Sequence, residues 1–172
     1  MSSWKDKIAT MYLVKQELMK RDKTQLWPHH LPKVGAEEDQ LKEAENALGY
    51  SLDPLYRDFL LHADGWKGFY QTVDLFGSEQ LRGSDVMDYA VALLDSIEAE
   101  VLENSGFTKE QLLPIATSMS DKDLFAITLP DSPSPGLVIW YAGEEIERFE
   151  NFEEYFLAMI DYNREEVFEL EK

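Results

Sequence analysis

The chain has 172 residues, a length typical of one domain, and a hydrophobic content of 44%, which is too high for a disordered protein. It has no cysteine, which excludes disulfides, thiol catalysis and thiolate metal sites. No apolar run approaches the roughly 18 residues that a membrane span needs, and the N-terminus lacks a signal-peptide pattern. We therefore expect a soluble cytoplasmic protein.

The net charge of −18 narrows the class of partner. A surface this acidic repels phosphate backbones and anionic lipids, so we expect neither nucleic-acid nor membrane binding. It suits a basic partner protein, although solubility alone is the simpler explanation. The charge is also uneven: residues 1–33 hold seven basic and three acidic residues, a local +4, whereas residues 83–108 contain no lysine or arginine.

Residues 1–33 are predicted to form a basic N-terminal helix and a docking loop beside a main domain of residues 34–172. Ser3 is a candidate N-cap, and residues 3–21 carry one apolar stripe at helical spacing. Residues 26–32 include two prolines and cannot continue the helix. The stripe consists of Trp4, Ile8, Met11 and Leu18.

Two more helices are indicated before any strand. Residues 36–48 begin with acidic residues, which the helix dipole favours there, and Gly49 follows the last turn. Asp53 is a candidate N-cap for the next helix, with Pro54 at its first position. The Asp64-Gly65 turn ends that helix.

The pattern then changes to one strand and one long acidic helix. Residues 69–76 read as a strand, and residues 78–81 as a short helical turn. Residues 84–103 keep their apolar side chains on one face, which predicts a single amphipathic helix. Its six carboxylates are Asp85, Asp88, Asp95, Glu98, Glu100 and Glu103.

Four short apolar runs and a helix complete the chain. Polar connections between the runs predict antiparallel hairpins. Asn151 is a candidate N-cap for the final helix, with Glu154 three positions later. This order predicts an α+β domain whose antiparallel sheet of about four to five strands is packed by helices. The runs are residues 114–119, 124–129, 137–141 and 146–149.

Several short motifs, taken in order, resemble a known superfamily. An acidic helix opening leads into Glu45-x-x-Leu48-Gly49 and then Leu52-x-Pro54-x-Tyr56-Arg57-x-Phe59-Leu60. Later pieces are Asp74-Leu75-Phe76-Gly77, Leu113-Pro114-Ile115-Ala116 and Phe152-Glu153-Glu154-Tyr155-Phe156-Leu157. Over residues 34–160 the chain resembles the SUKH superfamily, which includes fungal cell-wall-synthesis regulators and many bacterial toxin-immunity proteins.

The resemblance implies a protein-binding role without a cofactor. Bacterial members of this kind neutralise a cognate secreted toxin, often a nuclease, by capping it. An acidic protein suits that role because opposite charge steers association with the basic surface of a nuclease. A regulatory or scaffold domain of the same fold, with no toxin partner, is the alternative.

Two places are candidate partner-binding sites. Aromatic side chains beside the Asp64 turn can anchor an interface, although covering the core edge is their commoner role. The acidic helix offers either a docking surface or a solvated face. It is longer than the superfamily pattern, and Asp64 stands where that pattern has asparagine. The candidates are Asp64, Trp66, Phe69, Asp85, Asp88, Asp95 and Glu98.

Catalytic, cofactor and metal sites are not indicated. His29, His30 and His62 are not spaced to converge with carboxylates on a metal. Asp121 and Asp123 lack the rest of the calcium-loop pattern, so a solvated turn is the better interpretation. No phosphate-binding, dinucleotide-binding or nucleophile-elbow motif occurs. We expect no enzyme, and a carboxylate-based hydrolase stays as a third alternative.

Overall fold

A computed structural model describes residues 3–171, within which seven α-helices, one short 3-10 helix and six strands occur. The helices are α1 (Trp4–Arg21), α2 (Glu38–Leu48), α3 (Pro54–His62), α4 (Ser78–Arg82), α5 (Asp85–Ser96), α6 (Ala99–Ser105) and α7 (Phe152–Glu171). The strands are β1 (Trp66–Tyr70), β2 (Val73–Leu75), β3 (Leu112–Thr117), β4 (Leu124–Thr128), β5 (Val138–Tyr141) and β6 (Glu145–Phe149). The 3-10 helix is Lys109–Gln111.

The six strands form one antiparallel meander in the order β1 to β6. Phe125 and Trp140 stack at 5.0 Å between ring centroids, and Phe125 also meets Tyr155 of α7 at 5.2 Å. On the opposite face, the Tyr141 hydroxyl donates to Ser105 Oγ of α6 over 3.0 Å. Helices therefore cover both faces of the sheet, which is why every residue of β4 is buried.

The strand predicted over residues 69–76 is in fact part of a hairpin. β1 and β2 pair antiparallel around a turn in which Gln71 has φ +54°. Glutamine is not one of the residues that usually mark such a turn, so the sequence carries no clear turn signal there. The predicted α+β class with an antiparallel sheet is confirmed, and this hairpin brings the sheet to six strands.

The single helix predicted over residues 84–103 is wrong, because the chain breaks between α5 and α6. Ile97 and Glu98 have extended backbones, with ψ of 131° and 141°. The Ser96 hydroxyl donates to the Leu93 carbonyl over 2.7 Å, so a side chain competes with the helical pattern at this point. Glu98 then becomes the N-cap residue of α6.

Helix α1 packs against α7 of the same chain and belongs to the core. Ser3 caps it by accepting a hydrogen bond from the Asp6 amide at 3.2 Å. Trp4 lies 5.4 to 5.6 Å from three aromatic rings, measured between centroids, and is 6% exposed. Those rings belong to Phe59, Phe152 and Phe156.

The segment after α1 is docked on the body by buried polar contacts. The Asp22 carboxylate accepts from the Leu26 and Trp27 amides, at 2.8 and 3.2 Å, and lies 2.7 Å from His29 Nε2. Trp66 Nε1 donates to the His30 carbonyl over 3.1 Å. These contacts satisfy polar groups that the docked loop would otherwise bury without partners.

Replacing Trp4 should destabilise the whole fold. The Trp4→Ala substitution leaves a cavity among three rings, and we expect the free energy of unfolding to fall by about 3–5 kcal/mol. Leu13→Ala is the matched control, because Leu13 lies on the same helix and is 64% exposed. Urea unfolding measures both variants. Equal unfolding midpoints for the two would contradict the packing of α1 into the core.

Lys15 of α1 is a buried cation. Its Nζ donates to Asn163 Oδ1 over 3.4 Å. Burial lowers the pKa of Lys15 to about 8, and the charge of Glu166 opposes that shift. The unfolded chain, with the ordinary lysine pKa, therefore binds more protons than the folded chain between about pH 8 and pH 10. Through that window this group makes the protein more stable as pH rises.

The Lys15→Met substitution should remove this contribution of Lys15 to the pH dependence of stability. Methionine buries no charge, so the free energy of unfolding at neutral pH should equal or exceed the wild-type value. Between about pH 7 and pH 10 the wild type should gain about 2 kcal/mol relative to the variant. Urea unfolding of both proteins across this range gives the difference. A difference that stays constant with pH would contradict the low pKa of Lys15.

Candidate protein-binding surface

The acidic residues of α5 form one stripe on its outer side. Ser84 caps the helix by accepting from the Met87 amide at 3.2 Å, and the inner side packs on β3 and β4. Asp85, Asp88 and Asp95 are all exposed. Their spacing of three and seven residues places them on the same side of the helix, over about 15 Å of its axis.

Glu98 follows this stripe in sequence, after the break between the helices. It is exposed and lines a shallow groove of about 220 Å³ with Ser96, Lys122 and Gly143, among other residues. The groove brings Glu98 beside the turns of the β3–β4 and β5–β6 hairpins. We call Asp85, Asp88, Asp95 and Glu98 the acidic face.

Lys109 and Lys122 are cations of the protein itself that lie beside the acidic face. The neighbouring chain from residue 83 to residue 108 has no lysine or arginine. Lys109 Nζ lies 3.4 Å from Asp95 Oδ1, and both side chains are about half exposed. An exposed pair of this kind contributes only about 0–1 kcal/mol. A basic group on a partner can therefore replace Lys109 at little cost.

Hydrogen bonds connect the β3–β4 turn to α5 and to the sheet. The Tyr89 hydroxyl donates to the Asp121 carbonyl over 3.0 Å, which links α5 to the turn. Trp140 Nε1 donates to Asp123 Oδ1 over 2.9 Å. Burial raises the pKa of Asp123; the bond from Trp140 opposes this rise, and the charge of Asp121 adds to it. The helix that carries the acids is thus fixed to the sheet.

The other three predicted contact residues lie in the interior. The two carboxylate oxygens of Asp64 accept from the amide and the hydroxyl of Ser78, each at 2.6 Å. Trp66 is 1% exposed and Phe69 is fully buried. These three side chains are therefore covered in the folded protein and present almost no surface to a partner.

Two glycines let the Asp64 segment approach the start of α4. A Cβ added to Gly77 would lie 2.0 Å from the Asp64 carbonyl oxygen, which no side chain can tolerate. Gly65 has φ +96°, a conformation that favours glycine. The Asp64 carboxylate can therefore reach both donors of Ser78.

The histidines and carboxylates do not form a metal site within residues 3–171, where no group of three or more such side chains could hold a metal ion. His29 contacts Asp22, while His62 Nδ1 lies 2.8 Å from the Asp58 carbonyl oxygen. In the same part of the chain, every helix is too short or too polar to cross a membrane.

Sequence reasoning missed two residues beside the acidic face. Lys109 was not assigned to it, because only the folded chain brings the 3-10 helix next to Asp95. Val91 is 41% exposed, although a valine on an amphipathic helix is expected to face the core. A signal for Val91 did exist, because helical spacing places it at the border of the apolar stripe, next to Leu94.

A comparison with family models identifies the chain. The model of the SMI1/KNR4 family (SUKH-1) matches residues 35–158. The chain belongs to the SMI1/KNR4 family. The matched range contains the whole sheet and the acidic face of this SMI1/KNR4 protein, and it excludes α1. A search of curated proteins finds no match.

Removing the Asp64 carboxylate should destabilise this SMI1/KNR4 protein. Asp64→Ala leaves the Ser78 amide and hydroxyl buried without an acceptor, and we expect a loss of about 2–4 kcal/mol in the free energy of unfolding. Asp64→Asn keeps an oxygen acceptor and should cost less than half as much. Thermal and urea unfolding compare the two variants. Equal losses in both would show that the acceptor is not what matters at this position.

Proposed function

We propose that this SMI1/KNR4 protein functions by binding a basic protein through its acidic face, as an immunity protein that neutralises a cognate toxin. The observation that carries the proposal is a group of four exposed carboxylates in a stretch without lysine or arginine. Family membership supports it, because the family includes immunity proteins. Catalysis has no part in the proposed role.

Electrostatics give the acidic face its selectivity. Opposite charge raises the rate of encounter and rejects acidic partners, and both effects weaken as salt screens the charges. A nuclease toxin needs basic residues to bind phosphate groups. An acidic face that covers those residues blocks the nucleic acid without any chemical reaction. The proposed toxin is therefore a basic protein, with a nuclease as the favoured type.

The second candidate is a regulatory or scaffold role without a toxin. Two exposed apolar side chains outside the matched family range favour it. Leu26 and Leu31, in the segment after α1, are 57% and 64% exposed. A protein that used these apolar side chains for one partner and the acidic face for another would join the two, as a scaffold does.

Charge reversal on the acidic face should abolish capture of the partner. In a pull-down from the native cell, the wild-type protein should retain a basic protein at low ionic strength and less of it as salt increases. The Asp88→Lys, Asp95→Lys, Glu98→Lys triple variant should lose at least about 90% of that protein, since rim charges now repel it. Mass spectrometry quantifies the captured protein.

The matched control changes the same charge elsewhere. The triple variant Asp58→Lys, Glu150→Lys, Glu165→Lys also reverses three exposed acids and should keep the partner. Equal capture by both triple variants would refute the acidic face. Expression of the captured protein in cells, alone and together with the wild-type protein, then separates the two candidate functions. Growth arrest that the wild type relieves indicates immunity, whereas a harmless partner indicates a regulator.

A further inference from the structure

An apolar groove runs along the flank of α5, next to the acidic face. It encloses about 390 Å³. Its helical wall consists of Met87, Val91 and Leu94, and residues 112–114 at the start of β3 form its floor. Most of these side chains are buried, but Val91 at the mouth is 41% exposed. The helix that carries the acidic stripe therefore also presents an apolar surface.

The opposite wall lies at the end of α2, where Leu48 and Tyr50 are partly buried. Burial raises the pKa of Tyr50 to about 12, with a further contribution from the charge of Asp131. Asp131 itself is exposed. Negative charge is thus present on the α2 side of the groove as well.

The mouth of the groove is acidic. Asp95 belongs to both the groove and the acidic face, and Glu110 lines the groove beside Lys109. Lys109 is within 3.4 Å of Asp95, which leaves Glu110 as a second negative group at the mouth. The groove therefore presents an apolar interior and an anionic edge.

We propose that this groove is the anchor site for the basic partner, which inserts one apolar side chain beside Val91 and places flanking lysine or arginine residues at Asp95 and Glu110. This inference rests on the proposed function, because it concerns the same partner. The size is sufficient: cavities of about 150 Å³ accept a benzene ring. A leucine, methionine or phenylalanine side chain therefore fits.

Charge also argues against a second copy of the chain as the occupant. Each copy carries a net charge of −18, and the edge of the groove is acidic. Two copies that met at this face would bring like charges together, which costs free energy. A basic partner gains from the same charges. The apolar interior then adds affinity that salt does not screen.

Adjacent positions on α5 provide a matched test. Val91→Glu places a charge in the groove, whereas Ala92→Glu places the same charge on the acidic stripe, outside the groove lining. Both positions are exposed in a helix, so both variants should fold, and circular dichroism verifies this. The probe is a displayed library of random peptides selected on the immobilised wild-type protein.

The selected peptides should share an apolar residue flanked by lysine or arginine. Their affinity, measured by fluorescence anisotropy, should fall about tenfold or more on Val91→Glu, because burial of one such side chain is worth about 1.5–3 kcal/mol. On Ala92→Glu it should be unchanged or higher. Equal binding to Val91→Glu and the wild type, enrichment of peptides without basic residues, or no enrichment would overturn the groove as the anchor site.

The same peptides separate this inference from the proposed function. Peptides that tolerate Val91→Glu but are lost on the Asp88→Lys, Asp95→Lys, Glu98→Lys variant would overturn the groove and leave the acidic face in place. Peptides that bind both variants as well as the wild type would overturn both. Peptides that are lost on Val91→Glu and on the triple variant, but still bind Ala92→Glu, would support both the groove and the acidic face.

Discussion

Coverage of the sheet on both faces is the constraint on which the rest of the molecule depends. β4 has no exposed residue, because α7 covers one face while α5 and α6 cover the other. Such coverage buries the apolar surface of the central strands, whereas the edge strand β6 keeps exposed side chains such as Ile146. The outer sides of the helices and the hairpin turns are the remaining exposed surfaces. Helix α5 has such an outer side and is hydrogen-bonded to the β3–β4 turn.

Helix α5 both packs on the sheet and carries exposed carboxylates. Its inner side packs on β3 and β4, and its outer side carries Asp85, Asp88 and Asp95. After the break at Ile97, Glu98 lies beside the hairpin turns. Carboxylates on a rigid helix keep their relative positions, which lowers the entropy cost of binding. The SMI1/KNR4 match includes this entire region.

The sequence predicted the fold class because caps and periodicity agreed along most of the chain. Ser3, Asp53 and Asn151 all accept the hydrogen bonds expected of helix caps. It did not predict the Gln71 turn or the break at Ile97, because neither residue is a usual marker of such a feature. The exposure of the acidic stripe followed from the helical pattern. The burial of Trp66 depends on contacts distant in sequence, such as its bond to the His30 carbonyl.

The most direct test of the account is amide hydrogen exchange of the wild-type protein with and without its captured partner. Exchange rates report which backbone segments a partner protects. Binding through the acidic face predicts slower exchange in α5, α6 and residues 109–114, with α1 and the outer side of α7 unchanged. Protection confined to α1 and α7, with α5 exchanging as in the free protein, would contradict the claim that the acidic face binds the partner.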